Sequence, residues 1–274
     1  MKRTLLLGFA LLLFALPSTA AIQYEYVLKT MTEDAVVPTT DLQARAIVDG
    51  TKTRVDFIGG NLYPPGNYVV TSDGSRLFFV DPTKKWYTEF NAANAVSAIG
   101  ASSIKIENLR TDLKQLPDRP KFAGYETTHF QLTVEYDITV RMREIPLKQS
   151  VYTVIDNWTT TSFSDLTLTV LANGMRTGNP EIDQMMDLET TKITGFPLKQ
   201  TVSIRTTLLT RATNSKLKVN PTRTSAREMR VTAIREMTPK PTDFSVPAGY
   251  TRADSIDRPR IATQVLTFEP PGSK

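Results

Sequence analysis

From His129 to Arg143 the chain alternates without a break. Phe130, Leu132, Val134, Tyr136, Ile138, Val140 and Met142 are apolar, and every residue between them is polar. A period of two marks a strand with one dry face and one wet face. At ~3.3 Å per residue, a strand of ~15 residues runs about 50 Å, more than a small sandwich can use without a bend. This stretch predicts a long, coiled, strongly curved antiparallel sheet.

The same period recurs in shorter runs. Ile22, Tyr24, Tyr26 and Leu28 share one face of a first strand, and Leu42, Ala44, Ala46 and Val48 share one face of a second. Asp49-Gly50 turns the chain into a third strand over Arg54 to Phe57. After Gly59-Gly60 and Pro64-Pro65-Gly66, strands are expected at Tyr68 to Thr71, Leu77 to Val80 and Trp86 to Phe90. The turns between them are Asp73-Gly74 and Asp81-Pro82, which gives a meander. Further strands are predicted at Val151 to Trp158, Val202 to Leu208 and Met229 to Ala233. Helical spacing is confined to residues 91 to 101 and 165 to 190, where Asn179-Pro180 opens a helix. Beyond Arg252 the chain is polar and Pro-dotted, and only Ile261 to Phe268 has strand character.

Composition removes several chemistries. The 274 residues contain no Cys and one His, so thiol nucleophiles, disulfides and thiolate metal sites are absent. A hydrolase would have to be built on His129 with Asp137 or Glu135, and His129 stands in a strand alternation outside any catalytic motif. Asp183 and Asp187 lie four apart with no third ligand, so no metal and no cofactor is expected. The expectation is a protein without catalysis.

Residues 1 to 20 read as a signal peptide. Lys2 and Arg3 are followed by the apolar run Leu5 to Leu16 and the small-residue end Pro17-Ser18-Thr19-Ala20. That apolar run is about 12 residues, short of the ~20 that a spanning helix needs. Cleavage after Ala20 is expected, with Ala21 rather than Cys following, and delivery to the periplasm or the exterior. Asn157-Trp158-Thr159 fits the glycosylation pattern.

The segment VTSDGSRLFFVDPTKKWY, Val70 to Tyr87, resembles the hairpin of the LolA-like and LolB-like periplasmic lipoprotein carriers. In those carriers a D-G turn, a hydrophobic strand and a D-P turn with a following Lys recur in that order. GTKTRVDF, Gly50 to Phe57, resembles their preceding strand, and TDFSVPAGY, Thr242 to Tyr250, their closing segment. GYETTHFQL near Gly124 and ITGFPLKQTVSI near Ile193 look closer to an uncharacterised secreted family, domain of unknown function 4412. The resemblance implies a mainly β half-open barrel over residues 21 to 251, with a few short helices covering its concave face and a partly ordered tail over 252 to 274.

It also implies a cavity for a lipid, acyl chain or other hydrophobic ligand. Lining candidates are Tyr24, Tyr26, Phe57, Phe78, Trp86, Phe130, Leu132, Val134, Tyr136 and Ile138, because apolar area supplies most of the affinity for such ligands. Met175, Met185 and Met186 offer an adaptable cover. Between Phe196 and Lys240 ten Lys/Arg face only Glu228 and Glu236. Within this run, Arg205, Arg223, Arg227 and Arg230 are candidates for contact with anionic headgroups, a membrane surface or a membrane-bound acceptor. Nucleic acid is not expected as a partner of an exported chain. The alternative is a periplasmic sensor or protein-interaction module on the same scaffold.

Overall fold

The computed structural model describes residues 21–32, 40–74, 76–90, 101–142, 145–163, 166, 184, 193–209 and 222–253. Six strands form the first half: β1 (Ala21–Thr32), β2 (Thr40–Asp49), β3 (Lys52–Gly60), β4 (Tyr68–Thr71), β5 (Leu77–Asp81) and β6 (Trp86–Phe90). The second half holds β7 (Ala101–Leu116), the small hairpin β8 (Lys121–Phe122) and β9 (Tyr125–Glu126), β10 (Thr128–Met142), β11 (Ile145–Thr160), β12 (Phe196–Leu208) and β13 (Thr222–Met237). Residues Thr251–Arg252 form β14.

Among the described residues, twelve of these strands make one sheet in the order β14-β6-β5-β4-β3-β2-β1-β13-β12-β11-β10-β7. The sheet is curved and does not close into a barrel. Every pairing is antiparallel except that of β14 with β6. The predicted meander is β1 to β6, and the long alternation is β10. The two halves join where β1 pairs with β13, Tyr26 opposite Val231 and Leu28 opposite Met229.

Strand β7 is not marked by alternation, and its register explains why. Ile104 and Ile106 face the same way as Val140 and Ile138 of β10, but a bulge sits between Glu107 and Arg110. Asn108 there adopts φ 58°. The extra residue switches parity, so the inward apolar residues continue as Leu109 and Leu113. The helices expected at 91 to 101 and 165 to 190 fall outside the described residues, apart from Leu166, Gln184 and Ala101, which opens β7. The signal peptide, the three methionines of the expected cover, Asp183, Asp187 and the stretch Ile261 to Phe268 also lie outside them.

Both faces of the first half are covered. One face, here called inner, carries Tyr24, Leu42, Ala44, Ala46, Val48, Val55 and Phe57, which pack with Phe196, Leu198, Met229 and Val231. The outer face carries Ala21, Ile47, Tyr68, Val70 and Val80 under Phe244. Phe244 closes the 3-10 turn Pro241–Phe244, so the chain leaving β13 crosses back over the outer face. Gly195 is required where β12 begins. Its φ is +88°, and a Cβ there would stand 2.8 Å from the Thr160 carbonyl oxygen.

Candidate functional site

On the inner face the strand register builds continuous rows. One runs Leu113, Leu132, Ile155, Val202, Arg227 and Thr30 across β7, β10, β11, β12, β13 and β1. The next runs Thr111, Val134, Thr153, Ile204 and Ser225, and a third Tyr136, Val151, Thr206 and Arg223. Leu132, Val134, Ile155 and Val202 are buried, with Leu109, Leu113, Tyr136, Ile193 and Ile204 packed against them. An apolar band therefore leads across four strands to two guanidinium groups on β13.

Beyond β13 the band gives way to an aromatic cluster. Tyr24 meets Phe196 edge to face at 5.1 Å and Tyr26 at 5.8 Å. Phe57 stacks on Tyr63 at 4.2 Å, and Phe79 touches both rings at 5.8 and 5.7 Å. Burial raises the phenols: Tyr24 strongly, Tyr26 to about 12 with Tyr63 adding to the effect, and Tyr63 and Tyr136 in the same direction. These phenols stay neutral at physiological pH and offer apolar bodies with polar tips.

The ten lining candidates divide by place. Tyr24, Tyr26 and Phe57 belong to the aromatic cluster, and Leu132, Val134 and Tyr136 to the band. Phe130 and Ile138 are half-buried and share their parity on β10. Phe78 is on the outer face, where it meets Tyr87 at 6.0 Å. There it lines an open cavity of about 340 Å³ with Phe244, Val246, Pro247 and Tyr250. Trp86 is 44% exposed on strand β6, beneath the ammonium of Lys84. In β5 both Phe78 and Phe79 are apolar because both faces are covered, and only the pairing of Phe79 with Val69 tells which one is inner. Tyr63, Phe79, Phe196, Ile155 and Val202 join the inner face without having been among the lining candidates. Phe196, fully buried, carries no local signal beyond its place before Pro197.

The four candidate arginines also divide. Arg223 and Arg227 lie on the inner face by register, whereas Arg205 and Arg230 lie on the outer face opposite Thr224 and Lys199. Arg205 packs over Tyr152 at 4.9 Å and Arg230 over Phe122 at 5.7 Å.

The outer face of the second half is largely polar, and His129 is buried in it. Its Nδ1 lies 2.6 Å from Asp118 Oδ1 and its Nε2 3.0 Å from Asp156 Oδ1, while the ring stacks on Trp158 at 4.2 Å. Trp158 Nε1 donates to Asp118 Oδ2 at 3.1 Å, and Gln131 donates to Asp156 at 3.0 Å. The hydrogen bond from His129, then that from Trp158, holds the Asp118 carboxyl below its usual range. This network fastens the segment before the β8–β9 hairpin to β10 and β11. Asp137 and Glu135 are not gathered to His129: Asp137 accepts from Asn108 at 2.9 Å, and Glu135 lies 4.0 Å from Arg110. Among the described residues no group of His, Asp and Glu is arranged to hold a metal ion. Asn157 of the glycosylation pattern is 2% exposed and accepts from Gln200 at 2.9 Å.

No protein-family model matches the chain, and no curated protein matches it. Among solved structures, a LolA superfamily protein from Nitrosomonas europaea aligns with 7% identity over 84% of this chain and 91% of its own, at a TM-score of 0.31. A likeness at that TM-score carries no functional inference. The resemblances to the lipoprotein carriers and to domain 4412 remain those of the quoted segments.

Proposed function

We propose that this chain is an exported carrier that holds an acyl chain or other hydrophobic ligand against the inner face of its open sheet. The observation that carries the reading is the row from Leu113 through Leu132, Ile155 and Val202 to Arg227, with Arg223 two residues along the same strand. An amphiphile needs an apolar track ending in a cation. Each buried methylene contributes about 0.8 kcal/mol, so a chain of a dozen carbons gains most of its affinity from the track, and an anionic headgroup pairs with guanidinium. The order of the D-G and D-P segments resembles that of the LolA-like carriers and supports the same reading. On this reading the expected leader at residues 1 to 20 directs the protein to the periplasm or the exterior, where a membrane surface or membrane-bound acceptor receives the ligand.

A second reading is a sensor or protein-interaction module with a packed interior. The full burial of Leu132, Phe196 and Leu198 favours it. One experiment separates the two: mass spectrometry of the exported chain purified without detergent, native against solvent-extracted. A lipid near one equivalent is expected, and its loss in Arg223→Glu/Arg227→Glu identifies the headgroup contact. A clean apo mass, with no uptake of added fatty acid or phospholipid, rejects the carrier and leaves the interaction module.

A further inference from the structure

We propose that the chain pairs with a second copy of itself through the outer edge of β7. Among the described residues β7 ends the sheet, and no strand pairs with its far side. A strand of 16 residues in that position offers a long row of backbone donors and acceptors. Edge strands are commonly defended by charge of one sign. Here the charges alternate strictly along the strand: Lys105, Glu107, Arg110, Asp112, Lys114. Alternating signs select a register instead of forbidding contact.

The partner is a second copy because the sequence of β7 is complementary to its own reversal. In an antiparallel pair about a two-fold axis, the residues on either side of the axial residue face one another. With the axis through Thr111, Arg110 of each copy faces Asp112 of the other, and Leu109 faces Leu113, twice over. The neighbouring registers that keep both inner faces on one side fail. An axis at Arg110 puts Arg110 on Arg110, and an axis at Asp112 puts Asp112 on Asp112 and Arg110 opposite Lys114. An axis at Leu113 also faces Asp112 with Lys114, but it leaves Leu109 opposite Pro117, beyond the end of β7, and so loses both Leu109–Leu113 pairs.

Two further observations fit the Thr111 axis. Leu109 and Leu113 are half-buried against Leu132, Val134, Ile155 and Val202, so the paired leucines extend the apolar band of one copy into that of the other. The bulge at Asn108 lies next to Leu109, and about the two-fold axis the bulges of the two copies close the two ends of the ladder, which keeps it short and reversible. The in-chain pairs of Arg110 with Glu135 at 4.0 Å and of Asp112 with Lys114 at 3.0 Å are exposed surface contacts that a closer partner displaces. This inference holds whether or not the inner face carries a ligand.

The test is sedimentation equilibrium of the full exported chain over a concentration series at low salt, with R110D, D112R and the double swap R110D/D112R. Arg110 is 77% and Asp112 60% exposed, so the variants keep the wild-type far-UV circular dichroism, which is checked first. The wild type is expected to show a monomer–dimer equilibrium. Each single reversal weakens it by about 10- to 100-fold, and the double swap restores it. A wild type that stays monomeric throughout overturns the proposal, as does a dimer indifferent to both single reversals. A dimer weakened by D112R but not by R110D, or a double swap that does not recover, overturns the Thr111 register.

Discussion

Tyr26 shows how one side chain ties burial to pH. Its phenol is pushed from the ordinary value of 10 to about 12, first by burial and then by Tyr63. A folded-state value above the unfolded one means that the folded chain holds the proton more tightly. That contribution is complete below pH 10 and is lost as the pH rises through about 12. Stability measured by denaturant should therefore fall steeply over that window, and Tyr26→Phe should flatten the fall. An unchanged alkaline limb in Tyr26→Phe would show that its phenol is not held in this way. Gly195 makes a second residue-scale case, because its backbone conformation and the Thr160 carbonyl both exclude a Cβ. Gly195→Ala should cost about 1–3 kcal/mol in urea unfolding. A cost within error of zero would mean that the start of β12 relaxes freely.

At the scale of the element, β10 carries the inner-face band and the outer-face network on opposite parities. Leu132 is fully buried, and Leu132→Ala should lower stability by about 2–5 kcal/mol, the range for a buried leucine that leaves a cavity. Val134→Arg places a charge in the same band and should abolish ligand retention; a folded Val134→Arg chain that still carries lipid would place the ligand elsewhere. On the other parity, His129 holds Asp118 of the preceding segment, whose folded-state value is lowered, so its contribution is present above the unfolded carboxylate range and is lost as the pH falls through the lowered value. Asp118→Asn should flatten the acid limb of the stability profile and leave the alkaline limb untouched. β10 was legible from its sequence because it is regular from end to end. β7 was not, since the residue inserted at Asn108 switches its parity midway.

Across the whole molecule, the first strand sits in the middle of the sheet. β1 bonds to β2, its neighbour in sequence, and to β13, about two hundred residues away. β14 returns from the other end of the chain to lie beside β6. Pairings this distant must close long loops before they are rewarded, so refolding should be slow for a chain of this size, on the millisecond-to-second scale or longer. Stopped-flow fluorescence of Trp86 and Trp158 reads both ends of the sheet; submillisecond recovery of both signals would contradict the topology. The β13–β1 seam also decides what the inner face presents, because it sets the arginines of β13 between the apolar band and the aromatic cluster.

The amino-acid sequence by itself determined the strand class, the meander of the first half, the length of β10 and the absence of thiol chemistry. Each of these depends on neighbours along the chain: a period of two, a glycine or proline in a turn, a residue type that is missing. Alternation separates two faces but does not say which residues of different strands lie side by side, nor whether the second face is covered as well. Those were decided by register. It placed Phe79 rather than Phe78 on the inner face, sent Arg205 and Arg230 outward while Arg223 and Arg227 turned inward, and gave His129 the carboxylates of Asp118 and Asp156 in place of Asp137 and Glu135. The physical reason is that a cross-strand neighbour is chosen by backbone pairing between distant segments, and a slip of one residue would exchange every one of those assignments.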